Sequence, residues 1–274
     1  MKTECPICPR RCSLDDGQTG FCGARKNTDG EISCENYGKI TSIALDPIEK
    51  KPLRRYYPGA FILSVGSFGC NLRCPWCQNH GISMPEETPD TIFVSPAALI
   101  EKALSLASRG NIGIAYTYNE PLIGYEYVMD CARLAHSENL KNVLVTNGCI
   151  NEGPLMELLP YIDAMNIDLK SFNAEFYQKI GGSLDAVKSA ISHASGTTHV
   201  EVTTLIMPGE NDSPAEMESL SNWLSTICSD IPLHISRFFP RYKYKDSFPT
   251  PLESIHTLAG VAGKCLHNVY TGNC

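Results

Sequence analysis

The sequence predicts an incomplete or loosely closed α/β barrel that follows a cysteine-rich extension. From about residue 60, short β-branched runs alternate with amphipathic stretches, a pattern typical of βα units on a parallel sheet. Polar side chains cluster where the predicted strands end, which is where barrels of this kind carry their reactive residues. The first 60 residues lack the alternation and are rich in Cys, Gly and Asp. We therefore divide the chain into an extension, 1–60, and a barrel, 61–274.

The predicted elements follow one another in regular order. FILSVGS (61–67) is typical of a strand, and a helix is predicted over 95–110, with Ser95 as its N-cap and Gly110 at its end. NIGIAYT (111–117) is the next strand. Further helices are predicted at 121–140, 151–160, 173–195, 213–228 and 251–263, and further strands at 142–148, 164–170, 198–207, 232–238 and 267–272. The resulting seven strands indicate an incomplete barrel.

Composition restricts the function classes. The chain has 274 residues and 43% hydrophobic content, which is enough for one sizeable core. Its net charge of −7 argues against generic binding to nucleic-acid phosphates. No apolar run approaches the ~20 residues that cross a bilayer, and the polar segment 1–12 is unlike a signal peptide. We therefore expect a soluble, cytoplasmic protein with no membrane association and no nucleic-acid partner.

One segment departs from this acidic balance. DPIEKKPLRRYYPG combines four basic side chains with two tyrosines, and such a patch can hold anions or nucleic acid. Charge runs are more often solvated loops, so a solvated loop is the interpretation we favour. The residues concerned are Lys50, Lys51, Arg54, Arg55, Tyr56 and Tyr57.

Three cysteines share one short loop, GCNLRCPWCQN (69–79), directly after the first predicted barrel strand. The chain has 13 cysteines, an odd number without a secretory signal, which favours metal or cluster ligation over disulfides. Cys70, Cys74 and Cys77 have the spacing C-x3-C-x2-C and can bind three irons of a four-iron cluster, leaving the fourth iron without a protein ligand. The alternative is a zinc site completed by His80.

A second set of cysteines lies in the extension. Cys5, Cys8, Cys12 and Cys22 have the spacing C-x2-C-x3-C-x9-C, a four-thiolate set. Thiolates suit both zinc and a second iron–sulfur cluster, and the spacing does not decide between them. We favour a metal of structural function, because the extension is poor in apolar residues; the alternative is that all four are idle thiols.

Several other strand ends carry polar residues. The second predicted strand is followed by Asn119 and Glu120, and the third ends with Thr146 and Asn147. Taken alone, these are also ordinary turn residues. The remaining candidates are Asp168, Lys170, His234, Ser236 and Arg237. His234 could equally be a hydrogen-bonded core histidine.

The cysteine loop resembles the radical S-adenosylmethionine (SAM) superfamily, whose cluster loop has this spacing. The resemblance implies a partial (β/α) barrel, a 4Fe-4S cluster on Cys70, Cys74 and Cys77, and SAM bound through its amino and carboxylate groups to the open iron. Trp76 matches the aromatic position that packs by the adenine.

The resemblance also implies roles for the strand-end residues. Asn119 and Glu120 occupy the place of the segment that receives the SAM ammonium group, and Thr146-Asn147-Gly148 matches a Thr-Asn-Gly of glycyl-radical-enzyme activases. Asp168 and Lys170 match the Asp-x-Lys of the same activases, whose lysine pairs with the SAM carboxylate. Where those activases hold a monovalent cation with an aspartate and a methionine, this chain has Val145 and Asn166.

A narrower resemblance covers nearly the whole chain, to the radical SAM enzymes of the AmmeMemoRadiSam system, which are similar to pyruvate formate-lyase activases. The segments that carry it are CPICPRRCSLDDGQTGFCGARKN, YGKITSIALDPIEKKPL, SVGSFGCNLRCPWCQNHGIS, TYNEP, NIDLK, IMPGEND, HISRFFP and VYTGN. Glu49, Lys50 and Lys51 match the DPIEKKP segment of this family. Their position just before the first predicted strand indicates a loop at the mouth of the site, with roles toward substrate or SAM. The cluster chemistry implies a flavodoxin or ferredoxin reductant, and the narrower resemblance suggests a protein substrate and a Memo-like partner.

The function expected from this resemblance is hydrogen abstraction by a 5′-deoxyadenosyl radical, as in the activases. A second expectation is an enzyme that uses the same site to act on a small molecule or to transfer a group from SAM. A third, of another class, is an iron–sulfur electron-transfer or scaffold protein, against which the polar strand-end residues Glu120, Asp168 and Lys170 argue.

Overall fold

The structure, a computed structural model, describes residues 2–274. The extension contributes β1 (Thr3–Glu4), β2 (Ser13–Leu14), β3 (Arg25–Thr28), β4 (Glu31–Cys34), β5 (Lys39–Ile40) and β6 (Ser42–Pro47). The following strands are β7 (Phe61–Gly66), β8 (Ile92–Phe93), β9 (Asn111–Tyr116), β10 (Lys141–Thr146), β11 (Ala164–Asp168), β12 (His199–Ile206), β13 (Leu233–Arg237) and β14 (Val269–Gly272).

Eight α-helices accompany the strands in the described part of the chain. They are α1 (His80–Ser83), α2 (Pro96–Ser105), α3 (Tyr125–Ser137), α4 (Glu152–Leu158), α5 (Ala174–Lys179), α6 (Leu184–Ser195), α7 (Pro214–Ile227) and α8 (Leu252–Ala262). Ser95, Ser183 and Ser213 accept a backbone hydrogen bond at the N-termini of α2, α6 and α7, which fixes where these helices begin. In these residues no helix is long and apolar enough to cross a membrane.

One eight-stranded sheet organises the molecule, in the order β14-β13-β12-β11-β10-β9-β7-β6. The strands from β7 to β14 in this sheet pair in parallel, so their C-terminal ends lie at one edge. The α/β partial barrel predicted from the sequence is confirmed, with one strand more than expected. That strand, β6, comes from the extension and pairs antiparallel with β7.

The direction of β6 places the segment that follows it. Pro47 pairs with Phe61, the first residue of β7, so Lys50 and Lys51 come from the end at which the parallel strands start. They therefore form part of the floor of the barrel. The prediction that they belong to a loop at the mouth of the site was wrong. Beyond them Leu53 is fully buried, in a cluster with Ile62 and other strand residues.

A buried carboxylate closes this floor. Glu201 of β12 accepts hydrogen bonds from the backbone N–H groups of Arg54 and Arg55 at 2.9 and 2.8 Å. Its oxygens also lie 2.9 Å from His199 Nε2 and 2.6 Å from His234 Nε2. Burial alone would raise the pKa of Glu201, but the two histidines and the amides outweigh it and lower the pKa to about 2. Arg54 and Arg55 are thereby held in the barrel floor by their backbone.

Candidate functional site

A cavity of about 880 Å³ opens among the C-terminal ends of the parallel strands. Pockets of about 300–1,000 Å³ commonly take a ligand the size of a drug molecule, so this one is large. Most of the predicted site residues line it: Lys50, Lys51, Cys70, Cys74, Trp76, Cys77, Asn119, Glu120, Thr146, Asn147, Asp168, Lys170 and Arg237. The fold thus brings residues from six separate segments of the sequence to one space.

The cysteine loop follows β7 and is fixed from both sides. Gly69 has φ 89°, a conformation that favours glycine, and a Cβ there would lie 2.6 Å from the carbonyl oxygen of Cys22. The backbone N–H of Cys70 donates to that same oxygen at 3.1 Å. Arg73 donates to the carbonyl oxygens of Cys70 at 2.7 Å and of Phe21. The loop therefore keeps its shape through contacts with the extension.

The three thiols differ in exposure. Cys74 is buried, whereas Cys70 and Cys77 are half-buried. Burial raises the pKa of the Cys70 thiol well above its usual value, and it raises the pKa of Cys74 to about 11. Thiols in such surroundings become good ligands when a cation takes the place of the proton. Three of them on one wall of the cavity fit a cluster with one open iron.

Trp76 lies between two of these cysteines and is 8% exposed. Its ring centroid is 5.5 Å from that of Phe176 and 5.9 Å from that of Tyr244. The indole thus lines the cavity while it is also packed in the core.

Glu120 joins the ends of two neighbouring strands. It accepts hydrogen bonds from Thr146 Oγ1 at 2.6 Å, from the backbone N–H of Asn147 at 2.8 Å and from that of Leu122 at 3.1 Å. Burial raises its pKa to about 7, although these hydrogen bonds act in the opposite direction. The carboxylate therefore links the two strand ends in the cavity wall. Both of its oxygens already accept hydrogen bonds from groups of the protein.

Asparagine side chains extend this framework. Asn119 Oδ1 accepts from the backbone N–H of Ser67 at 2.9 Å, and its Nδ2 donates to the Gly69 carbonyl oxygen at 3.1 Å. Asn147 Nδ2 donates to Asn71 Oδ1 at 2.9 Å and lies 3.7 Å from Cys70 Sγ. Both residues position the cysteine loop relative to the neighbouring strands.

An ion pair faces the cavity at the end of β11. Lys170 Nζ lies 2.9 Å from Asp168 Oδ2, and their side chains are 18% and 37% exposed. Burial alone would lower the pKa of Lys170, but the Asp168 carboxylate outweighs it and the pKa is raised. The ammonium group therefore stays charged, next to a carboxylate that remains open to a ligand.

Comparison with known proteins identifies the family. A family model described as the radical SAM superfamily matches residues 64–220, more than half of the chain. The chain belongs to the radical SAM superfamily. Membership implies an enzyme that uses a 4Fe-4S cluster and SAM, and the cysteine loop is the part of this chain that fits the cluster.

Relatives within the radical SAM superfamily differ in what they do. An uncharacterized protein of Methanocaldococcus jannaschii is 40% identical over 99% of this chain and 81% of its own length. A probable GTP 3′,8-cyclase of Archaeoglobus fulgidus is 29% identical over 54% of this chain and 49% of its own. The pyruvate formate-lyase 1-activating enzyme of Escherichia coli K12 is 28% identical over 53% of this chain and 60% of its own. The chain thus spans about half the length of the named enzymes.

A solved structure agrees with the radical SAM fold. The crystal structure of a radical SAM methyltransferase from Sphaerobacter thermophilus superposes with a TM-score of 0.58, covering 79% of this chain and 67% of that one. The two sequences are 16% identical, so the likeness concerns the fold.

Two residues predicted for this radical SAM site lie away from the cavity. The carboxylate of Glu49 accepts a hydrogen bond from the backbone N–H of Gly59 at 2.7 Å, on the exposed surface. His234 is 6% exposed and bonded to Glu201 in the barrel floor. His234 is therefore a core histidine of the kind considered as its alternative, because a buried carboxylate on the next strand satisfies it.

Sequence reasoning missed a carboxylate that faces the cavity, Asp46. Its oxygens lie 2.8 Å from Lys51 Nζ and 3.2 Å from Lys50 Nζ, and Tyr118 OH donates to it at 2.8 Å. Burial alone would raise the pKa of Asp46, but Lys51 and Tyr118 outweigh it and lower the pKa. Its position four and five residues before two lysines was the available signal.

The four cysteines of the extension surround a separate, small cavity. A space of about 10 Å³ is lined by Cys5, Cys8, Cys12 and Cys22, together with Asn71 of the cysteine loop. Burial raises the pKa of Cys8 and of Cys22. Between residues 2 and 274, no three His, Cys, Asp or Glu side chains converge closely enough to ligate a single metal ion.

His80, the ligand considered for a zinc site, is held elsewhere. Its ring stacks on that of Tyr242, with centroids 4.3 Å apart, and its Nδ1 lies 3.2 Å from the carbonyl oxygen of Cys77.

Proposed function

We propose that this chain cleaves SAM reductively at a site-differentiated cluster and uses the product radical to abstract a hydrogen atom, as the glycyl-radical-enzyme activases do. The observation that carries the proposal is the single cavity shared by the cysteine loop and the strand-end ion pair Asp168–Lys170. An electron carrier has no need of such a cavity.

Cys70, Cys74 and Cys77 would hold the cluster. The chemistry that such a cluster supplies when bound is the one-electron cleavage of SAM to a 5′-deoxyadenosyl radical. Three protein ligands leave one iron for the amino and carboxylate groups of SAM. Glu120, Asn119 and Asn147 keep the loop in register with the neighbouring strands, a positioning role.

The SAM amino acid moiety has charged partners of the right sign in this cavity. Lys170 is a point charge suited to the carboxylate, and the half-exposed Asp168 suits the ammonium group. Trp76 and Thr146 line the same cavity and would contact the remaining parts of SAM. Glu120, predicted to take the ammonium group, is already bonded within the protein, so we assign that role to Asp168 instead.

The substrate lies at the floor of the cavity in this proposal. Asp46, Lys50, Lys51 and Tyr118 form a polar group there, and Arg237 lines the same cavity. The likeness to the activase favours a protein glycine as the site of abstraction. The polar floor favours a second candidate, a small polar molecule, as for the cyclase relative, whose printed name specifies GTP.

We further propose a metal at the amino-terminal cysteine set, as a second cluster or zinc, with a structural function. The support is that all four thiols line one cavity. Zinc would in addition require the thiols to draw together around a single ion. A Memo-like partner and a cytoplasmic location remain part of the proposal on the sequence resemblance alone.

The experiment that tests the main proposal is anaerobic incubation of the reconstituted enzyme with dithionite and SAM. Accumulation of 5′-deoxyadenosine is the expected result, and Cys74→Ala with the same protein concentration is the control. Recovery of intact SAM from the wild type, with a cluster present, would contradict the proposal. A matched incubation that yields a methylated product would favour group transfer.

A further inference from the structure

One loop beside the cluster site has an outer surface, away from the large cavity, that the proposed chemistry leaves unused. The chain leaves β13 at Phe238 and returns at Thr250, and the two residues close the loop by reciprocal hydrogen bonds of 3.2 Å. We call residues 239–248 the aromatic-basic loop. Phe239 and Phe248 in it are 42% and 83% exposed.

The aromatic-basic loop carries positive charge on an acidic protein. Arg241, Lys243 and Lys245 are exposed, and Asp246 is its one carboxylate, which leaves two positive charges in excess. The chain as a whole has a net charge of −7. Phe239 and Arg241 of the loop line the large cavity, whereas the exposed residues Lys243, Lys245 and Phe248 do not and lie on the surface beside it. Exposed phenylalanines within a positive patch are typical of a surface that binds an acidic protein.

This loop packs directly on the cysteine loop. The backbone N–H of Lys243 donates to the carbonyl oxygen of Pro75 at 2.9 Å, between Cys74 and Cys77. Tyr242 stacks on His80 at 4.3 Å, and the backbone N–H of His80 donates to the carbonyl oxygen of Cys77 at 3.3 Å. Cys77 is half-buried, and its neighbours Gln78 and His80 are exposed. A protein bound to the loop therefore comes close to the exposed end of the cysteine loop, at Gln78 and His80.

We propose that the aromatic-basic loop is the docking surface for an acidic one-electron carrier protein that reduces the cluster. The inference rests on the proposed function, since it assumes a cluster at Cys70, Cys74 and Cys77. In the step concerned, one electron leaves the reduced carrier and enters the oxidised cluster, and no bond forms or breaks. Opposite charges bring the partners together, and the exposed ring of Phe248 supplies an apolar contact.

The test compares two charge reversals of equal size. Lys243→Glu with Lys245→Glu alters the loop, and Lys102→Glu with Lys264→Glu makes the same change of net charge at exposed positions outside it. The first measurement is the rate at which an acidic flavodoxin hydroquinone reduces the reconstituted cluster at low ionic strength, followed by stopped-flow absorbance. The second is the rate with dithionite, which needs no docking surface.

The loop variant should lose about tenfold or more in the flavodoxin rate, with the loss shrinking as salt is added, and should keep the dithionite rate. The control variant should keep both rates. Equal loss in the two variants, or no loss in either, would overturn the inference. If the loop variant also lost the rate with dithionite, the loop would instead be needed to hold the cluster in place, and the inference would be wrong.

Calorimetry of oxidised flavodoxin with the oxidised, reconstituted protein tests binding at the surface without electron transfer. The affinity should fall in the loop variant and in Lys243→Gln with Lys245→Gln, though less in the latter. If the wild type binds flavodoxin but takes no electron from dithionite, the proposed function fails while the docking surface stands. If the loop variants bind flavodoxin normally yet turn over less substrate after dithionite reduction, the surface serves a substrate and the inference is wrong.

Discussion

Replacing Lys170 by methionine should weaken SAM binding while the fold around the cavity is kept. Methionine keeps most of the length and volume of the lysine side chain, but it removes the positive charge beyond the end of β11. Lys170 is 18% exposed and its Nζ lies 2.9 Å from Asp168. Burial lowers the pKa of Lys170, but the Asp168 carboxylate raises it by more. The wild-type side chain is therefore charged at any working pH.

The expected size of the effect follows from the hydrogen bond that is lost. A hydrogen bond to a charged group contributes about 1.5–3 kcal/mol, so the dissociation constant for SAM should rise about tenfold to more than a hundredfold. The Asp168 carboxylate, 37% exposed, also loses its partner and is left to repel the SAM carboxylate. That repulsion acts in the same direction.

Calorimetric titration of SAM into anaerobically reconstituted protein of matched iron content measures this effect. Lys170→Arg keeps the charge and should bind more tightly than Lys170→Met. Lys179→Met is the matched control, since that lysine is 68% exposed and pairs with Glu210 instead. Equal affinity in Lys170→Met and wild type would refute the assignment of Lys170 to the SAM carboxylate.

Three further predictions concern the thiols and the buried carboxylate. Cys74→Ala should abolish the visible absorption of the reconstituted cluster; a wild-type spectrum in this variant would exclude Cys74 as a ligand. Cys8→Ala with Cys12→Ala should lose one metal equivalent and become protease-sensitive before about residue 60, while the Cys74 cluster is retained; unchanged metal content, or loss of both sites together, would count against it. Burial raises the pKa of Glu120 to about 7, so the stability that its neutral form contributes is present below its unfolded pKa and is lost as the pH rises through about 7. That loss is roughly 3 kcal/mol, and urea unfolding of the metal-free chain should show it in the wild type and not in Glu120→Gln; parallel pH profiles would disprove the assignment.

The repeating part of the fold could be predicted from the sequence because its signals are local. Ser95 caps α2 as expected, and Gly110 ends the segment after it with φ 82°. The predicted helix 173–195 is in fact two helices, α5 and α6, separated at Gly181 and Gly182. The strand β6 was missed because it lies in a segment without alternation and gains its stability from pairing with β7.

The candidate site shows the same division. The spacing of Cys70, Cys74 and Cys77 is contained in eight residues, so the sequence alone locates it. Whether a carboxylate faces a ligand or a neighbouring strand depends on side chains that are distant in sequence. Glu120 bonds to Thr146 and Asn147, and these contacts direct it into the protein, whereas the family resemblance had implied a role toward SAM.

Electron paramagnetic resonance of the reduced cluster, with and without SAM, tests the central claim most directly, namely that one cavity holds both the three-cysteine cluster and SAM. Direct contact of SAM with the open iron predicts that saturating SAM changes the g values of the wild-type signal, and that Lys170→Met needs a higher SAM concentration for the same change. A wild-type spectrum that is identical with and without SAM, in protein shown by calorimetry to bind SAM, would contradict the account.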